Sequence, residues 1–211
     1  MSGPILDSSA HAPDDGPDPA RERTALKEWA VLCDALAAGD VVAMVRKGGI
    51  REQRAGFSVR HERFLLYPTF FHEKAAELQP RFRERLAASH ARNAPGVIRV
   101  ELVATVAGVW AVHDLERLRA IEAEHGLAWP AVEARFHYKS RPGVQVVAVR
   151  VARLPAPVEI PEVRRYLGCV SWVALDAAVD VAGATPVLAD EPMARRVAAL
   201  SAALGPPDGS P

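Results

Sequence analysis

The chain has 211 residues, of which 49% are hydrophobic and 25% charged, and its 26 basic and 26 acidic residues give a formal net charge of zero. This composition is typical of a globular protein with its own core, and the length predicts one domain with tails. The longest apolar run is shorter than the ~18 residues that a membrane span needs. The start has no signal-peptide pattern, and Cys33 and Cys169 have no motif spacing, so we expect a cytoplasmic protein.

The two ends differ in composition from the middle. Residues 1–22 are rich in Pro, Asp, Gly and Ser and have little to bury, and residues 205–211 read "GPPDGSP". We predict that both segments are disordered. Between them we expect a single domain over residues 23–180 and a C-terminal helical extension over residues 181–204.

The first elements are predicted from their apolar spacing. In residues 23–40, apolar positions such as Leu26, Trp29 and Cys33 recur at the spacing of a helix face. Residues 41–47 form a short apolar strand. A second strand starts near Arg63 and ends at Pro68, with Phe64 and Leu66 on one face and Leu65 and Tyr67 on the other.

The rest of the chain continues with longer elements. Residues 72–93 indicate a helix broken at Pro80, and residues 96–112 give the strongest strand signal, with a bulge at Gly108. We then expect a helix over 113–126 capped by Asp114, a mixed segment over 130–139, a strand over 143–155, a proline-stiffened connection over 155–163, a strand over 168–175 and a helix over 189–204. Strands do not alternate with crossover helices, so the prediction is an α+β fold with a curled mixed β-sheet flanked by helices.

Two segments carry a family resemblance. "ALKEWAVLCDALAAGDVVAMVRKGGI" and "RFLLYPTFFHE" resemble the uncharacterised bacterial family called domain of unknown function 1802, and so do the later pieces "RFHYK", "VRVARL" and "GCVSW". The resemblance covers about residues 26–175 and implies no activity, because none is attached to that family.

A second resemblance concerns the architecture alone. A helix, then "AAGD", then a strand that ends in Arg46 is similar to the opening of ASCH domains, although Asp40 stands where those domains have lysine. "VIRVELVATV" and "VVAVRVARLPAPVEIP" resemble EVE and PUA-type barrels, which bind RNA or modified bases. These resemblances imply a small PUA-like pseudo-barrel.

The positive charge is concentrated in one block. Residues 44–92 carry eleven Lys or Arg against five Glu, although the whole chain is neutral. In this block the glycine pair would let main-chain amides face an anion, and the basic residues would bind phosphate. The alternative is a hairpin turn with solvated cations. The candidate phosphate-binding residues are Arg46, Lys47, Gly48, Gly49, Arg60 and Arg63.

Aromatic residues follow the basic block. Tyr67, His72 and the later Trp172 are candidates for stacking on a base, as aromatic platforms do in proteins that bind single strands. The alternative for Trp172 is a core position in the last strand, and we expect Phe70 and Phe71 to be core residues.

Two further candidates lie in "RFHYK". His137 and Lys139 stand where a helical segment becomes extended, and the histidine could exchange protons near neutral pH. No histidine or cysteine spacing indicates a metal site, and we expect no cofactor.

The functional prediction is binding of RNA, single-stranded DNA or a nucleotide through the basic loop. Substitution of Arg46 by alanine is expected to weaken that binding without unfolding the protein. One alternative is a phosphodiester hydrolase or nuclease with Lys47, His72 or His137 in the chemistry. The other is a protein-interaction module in which the C-terminal helix docks a partner.

Overall fold

The structure is a computed structural model that describes residues 18–47, 59–92, 95–168 and 170–208, without the side chain of Lys139. Most of the predicted disordered tails, the pair Gly48 and Gly49, and Cys169 lie outside the described residues. The elements in chain order are β1 (Arg21–Trp29), α1 (Ala30–Ala37), β2 (Ala43–Arg46), β3 (Arg63–Thr69), α2 (Pro80–Arg83), α3 (Leu86–Ala91), β4 (Val97–Val112), α4 (Leu115–Arg119), α5 (Trp129–Phe136), β5 (Val144–Pro161), β6 (Trp172–Asp180), β7 (Thr185–Pro186) and α6 (Asp190–Leu204).

Seven strands form one sheet in the order β2-β5-β4-β3-β1-β6, with β7 paired to β5. The pair β1 and β3 is parallel, and the other pairings are antiparallel. The sheet curls, and short helices flank it. The α+β class and the curled mixed sheet predicted from the sequence are therefore confirmed.

The strands bury apolar side chains on both faces. Phe64 and Leu66 belong to the larger of two core clusters, and Leu65 and Tyr67 to the smaller one, as their alternation predicts. The C-terminal helix α6 packs on the larger cluster through Leu200, which is completely buried. None of the described helices is both long and apolar enough to cross a membrane.

The first predicted helix is wrong over its amino-terminal half, because residues 21–29 form β1 and helix begins only at Ala30. β1 lies between β3 and β6 and is covered on both faces. Its apolar residues therefore run together without strict alternation, with Ala25 in one cluster and Leu26 in the other. A short stretch of that kind has no periodicity that separates strand from helix.

Prolines mark two further differences. β3 continues through Pro68 to Thr69, where β1 is its neighbour and β4 no longer pairs with it. The segment predicted as a proline-stiffened connection is the second half of β5, which pairs with β4 as far as Pro161. Both stretches lie where a strand has one neighbour, so the missing N–H group costs no ladder bond.

The helical predictions after β3 are only partly met. Residues 72–93 hold a 3-10 turn at Ala75–Glu77 and two short helices, α2 and α3, and Pro80 starts the first of these. The helix predicted over 113–126 is confined to α4, with Asp114 capping the amide of Glu116 at 3.0 Å. The predicted bulge at Gly108 is present as a register shift between Val106 and Gly108.

Candidate functional site

A buried ion pair lies where β2 ends beside β1. The guanidinium Nη1 of Arg46 donates to the carboxylate of Glu28 at 3.0 Å and to the carbonyl of Lys27 at 3.1 Å. The Glu28 side chain is 4% exposed and that of Arg46 13%. Removing charges from water is costly unless each finds a partner, so Arg46 is fixed in position by the need of Glu28 for a positive neighbour.

A second arginine acts on the same carboxylate. Arg135, in α5, donates from Nη1 to the carbonyl of Val45 at 3.0 Å, and its guanidinium lies 5.0 Å from the ring centre of Trp29. Burial lowers the pKa of Arg135, Glu28 opposes that shift, and the charge of Arg46 adds to it. The charge of Arg135 therefore acts on the same buried carboxylate to which Arg46 is hydrogen-bonded.

The carboxylate of Glu77 also favours the charged form of Arg135. Glu77 is itself paired with Lys74, at 3.4 Å. Within the group of Glu28, Arg46 and Arg135, two guanidinium groups thus stand beside one carboxylate at a place that is partly shielded from water. An anion bound there would interact more strongly than at an open surface, because the local screening is weaker.

Trp172 lies on the same face of the sheet as this cluster. It pairs with Leu26 across β1 and β6, so it is a diagonal neighbour of Glu28, and such pairs lie about 7–8 Å apart. The indole is half-buried and makes edge contacts with His61 and Phe64, both at 5.1 Å. We call the group of Glu28, Arg46, Arg135 and Trp172 the cationic mouth.

Lys47, the residue after Arg46, connects the mouth to the segment that follows α5. Its ammonium donates to the carbonyls of Phe136 at 3.0 Å, Gly143 at 2.5 Å and Arg141. Burial lowers the pKa of Lys47. The contacts hold the turn of residues 136–143 against the end of β2. The predicted candidates His137, which is exposed, and Lys139 lie in this turn.

Tyr67 is not brought to the mouth. It lies in the smaller core cluster, on the opposite face of the sheet from Phe64, and is 1% exposed. Its hydroxyl donates to Glu162 at 2.7 Å, and burial, together with that bond, raises the pKa of Tyr67. A ring enclosed in this way presents no face to a ligand.

Two other predicted residues also lie apart. Arg63 binds the carbonyls of Pro19 at 2.6 Å and Arg21 at 3.0 Å, near the beginning of β1, whereas Glu28 lies near its end. His72 lies at the corner after β3, with a positive φ of 61° and its ring 3.9 Å from that of Phe71. Phe70 and Phe71, expected in the core, are 37% and 58% exposed.

Arg60 is exposed and precedes the strand that carries Phe64. Among the described residues, no group of three or more His, Cys, Asp or Glu is placed to hold a metal ion. A cavity of about 30 Å³ between α1 and the sheet is lined by Asp34, Arg92, Arg99 and Glu101 and by none of the predicted site residues. Its size suits about one water molecule.

Comparison of the sequence with models of known protein families shows which family the chain belongs to. The model of "Domain of unknown function (DUF1802)" matches residues 25–199, most of the chain. This protein belongs to the DUF1802 family. The match confirms the family resemblance seen in the sequence and extends it at the C-terminal end into α6.

Curated proteins offer no match to this DUF1802 chain. Among solved structures, it is similar to the ASCH protein from Zymomonas mobilis, with 14% sequence identity, a TM-score of 0.42, and coverage of 84% of this chain and 94% of that one. An ASCH protein is also what the helix–"AAGD"–strand opening resembles, but at this TM-score no inference about the site rests on the likeness.

The two residues that complete the mouth of the DUF1802 chain, Glu28 and Arg135, were not among the predicted site residues. Residues 23–40 were predicted as helical, and a helix exposes its charged residues to solvent, so the prediction gave no reason to single out Glu28. A charged residue inside a strand that is buried on both faces would have been a clear signal. Arg135 stands two residues before the predicted His137, and no spacing in the sequence connects it to Glu28.

Proposed function

We propose that this DUF1802 protein binds the phosphate and base of a nucleotide, or of a single-stranded nucleic acid, at the cationic mouth. The observation that carries the proposal is the placement of two guanidinium groups at the end of β2, where Arg46 binds the buried carboxylate of Glu28 at 3.0 Å and Arg135 binds the carbonyl of the preceding residue, Val45, at 3.0 Å. A phosphate oxygen would add a negative charge beside these two guanidinium groups, and arginine binds phosphate with two parallel hydrogen bonds.

Trp172 supports the same proposal, because its ring could stack on the base of the ligand. The indole lies on the face of the mouth, and the residue is half-buried. Stacking of a base on an aromatic ring contributes about 1–3 kcal/mol and tolerates any base.

The test is binding of a fluorescein-labelled eight-nucleotide RNA, the same sequence as single-stranded DNA, and a mononucleotide, each at several salt concentrations. Each phosphate contact on a single strand adds about −0.7 to the slope of log affinity against log salt. We expect a slope steeper than −0.7 for the oligonucleotides, and the three ligands distinguish a strand from a mononucleotide. An affinity that stays flat as salt rises would contradict the proposal.

The variant that isolates the mouth is E28Q/R46Q. Replacing Arg46 alone would leave Glu28 buried without the guanidinium that is hydrogen-bonded to it, and breaking a buried ion pair in this way costs about 3–5 kcal/mol of stability. The ion pair thus revises the expectation that alanine at Arg46 spares the fold. The double variant removes both charges and leaves the net charge unchanged. We expect binding about ten- to hundred-fold weaker, because hydrogen bonds to charged groups contribute about 1.5–3 kcal/mol.

The matched control is E191Q/R195Q. Arg195 lies on the exposed side of α6 and pairs with Glu191 there. This double variant also leaves the net charge unchanged and the mouth intact, so affinity should change less than two-fold. Wild-type affinity in a folded E28Q/R46Q protein would overturn the assignment of the site.

A further inference from the structure

The turn of residues 136–143 is held against the end of β2 by Lys47, the residue after Arg46. We infer that Tyr138 stacks on the base of the ligand and that Lys47 is a positioning residue which holds Tyr138 in place. The inference rests on the proposed function, since it assumes that a ligand with phosphate and base enters the cationic mouth. It replaces the phosphate contact expected of Lys47 and the stacking expected of Tyr67.

Lys47 has no proton left for a phosphate. An ammonium group has three N–H donors, and those of Lys47 face three carbonyls, of Phe136, Arg141 and Gly143. One of these carbonyls ends α5, and the other two lie where the chain returns to β5. The ammonium therefore joins the beginning and the end of the turn, and it does so from the residue that follows Arg46.

The turn is held in a conformation that needs such support. Ser140 has a φ of 53°, which a residue with a side chain rarely adopts, and Gly143 has a φ of 127°. The amide N–H groups of Ser140 and Gly143 donate hydrogen bonds to the carbonyls of His137 and Phe136, each at 3.1 Å. These two bonds close the turn. Backbone strain of this kind costs about 1–3 kcal/mol and persists where the surroundings over-determine it.

Tyr138 is the aromatic residue that this turn presents. Its side chain is 43% exposed, in contrast to Tyr67 at 1%. It follows Arg135 by three residues, and residues at that spacing on a helical path lie about 5–6 Å apart. A base attached to a phosphate at Arg46 and Arg135 is thus within reach of the phenol ring.

The test is a double-mutant cycle with Lys47→Met and Tyr138→Ala, measured with the eight-nucleotide RNA over a range of salt. Tyr138→Ala should weaken binding about five- to hundred-fold, in line with the energy of one stacked base, and Tyr138→Phe should bind as wild type. Lys47→Met should weaken binding by a similar factor with the salt slope unchanged. The double variant should bind within three-fold of Lys47→Met alone, because the two residues act as one unit.

Three results would overturn the inference. A salt slope reduced by about 0.7 in Lys47→Met would make Lys47 a phosphate contact itself. Effects that multiply in the double variant would separate Lys47 from Tyr138. Wild-type affinity in Tyr138→Ala, an exposed substitution that should not disturb folding, would remove the stacking contact. These results leave the proposed function intact as long as the RNA affinity of the wild-type protein falls steeply with salt. If that affinity does not depend on salt, the proposed function itself is rejected.

Discussion

His125 shows how strongly the surroundings of one residue can set its charge. The side chain is 1% exposed, and its Nδ1 accepts the amide of Leu127 at 3.2 Å. Burial lowers the pKa of His125 to about 4, and the charges of Arg135 and Arg81 add to that effect. The imidazole is therefore neutral in the folded protein at pH values where it would be charged in the unfolded chain.

This difference predicts a loss of stability in acid. Below pH 6.5 His125 is protonated in the unfolded chain, whereas in the folded protein it stays neutral down to about pH 4. The free energy of unfolding should fall by up to about 1.4 kcal/mol per pH unit over that range, or roughly 3 kcal/mol in total. Urea unfolding at pH 4.5, 5.5, 6.5 and 7.5 measures it.

The comparison variants are His125→Asn, whose amide oxygen can still accept from Leu127, and His113→Asn, which changes an exposed histidine. The first should flatten the decline in stability between pH 6.5 and 4, and the second should leave it unchanged. If the free energy of unfolding declined equally with pH in wild type and His125→Asn, the pKa of His125 would not be lowered in the folded protein.

Sequence reasoning identified single residues where the signal is local. Arg46 was singled out because a strand ends there, and Phe64 and Tyr67 were assigned to opposite faces from alternation alone. The partners of these residues were beyond it. Glu162, which holds the Tyr67 hydroxyl, is 95 residues away, and Arg135 lies 89 residues beyond Arg46. Pairings over such distances depend on how the whole sheet closes.

Among the elements, β4 was predicted best and β1 worst, because their sequences differ in how clearly they indicate a strand. β4 has sixteen residues with a strong strand composition and a glycine at its irregular point, so the sequence alone indicates it. β1 is short and buried on both faces, and its apolar pattern fits a helix as well. The neighbours that make it a strand, β3 and β6, come about 40 and 150 residues later.

Gly108 gives a prediction at the level of the element. A Cβ atom at this position would lie 2.5 Å from Cη2 of Trp110, and the indole of Trp110 is 2% exposed and donates to the carbonyl of Gly205 at 2.9 Å. The indole is thus held by the surrounding core and by this hydrogen bond. Gly108→Ala should therefore destabilise the protein by about 1–3 kcal/mol through overpacking, measured by urea unfolding.

The control is Thr105→Ala, an exposed position on the same strand. It should change the free energy of unfolding by less than about 0.5 kcal/mol, as surface substitutions usually do. A Gly108→Ala protein as stable as the control would mean that Trp110 is not packed against the bulge as described.

At the scale of the whole molecule, the class of fold followed from the order of elements, and the family followed from a few motifs. The site did not follow, because it depends on closure of the curled sheet. β2 and β1 are separated by three strands in the sheet order, yet Arg46 reaches Glu28 across the interior. The helix α6 also joins this body: Arg196 binds Glu124 at 2.6 Å and the carbonyl of Gly39 at 2.7 Å.

The central claim is that an anionic ligand enters on the face shared by Arg46 and Trp172. The most direct test is a nuclear magnetic resonance titration of the eight-nucleotide RNA into the labelled protein, following the indole N–H signals. We predict a saturable shift of the Trp172 indole and of the Arg46 Nε–H signal, with the buried Trp110 indole and the Tyr67 amide unmoved. Saturable shifts at Tyr67 with a stationary Trp172 would contradict the account.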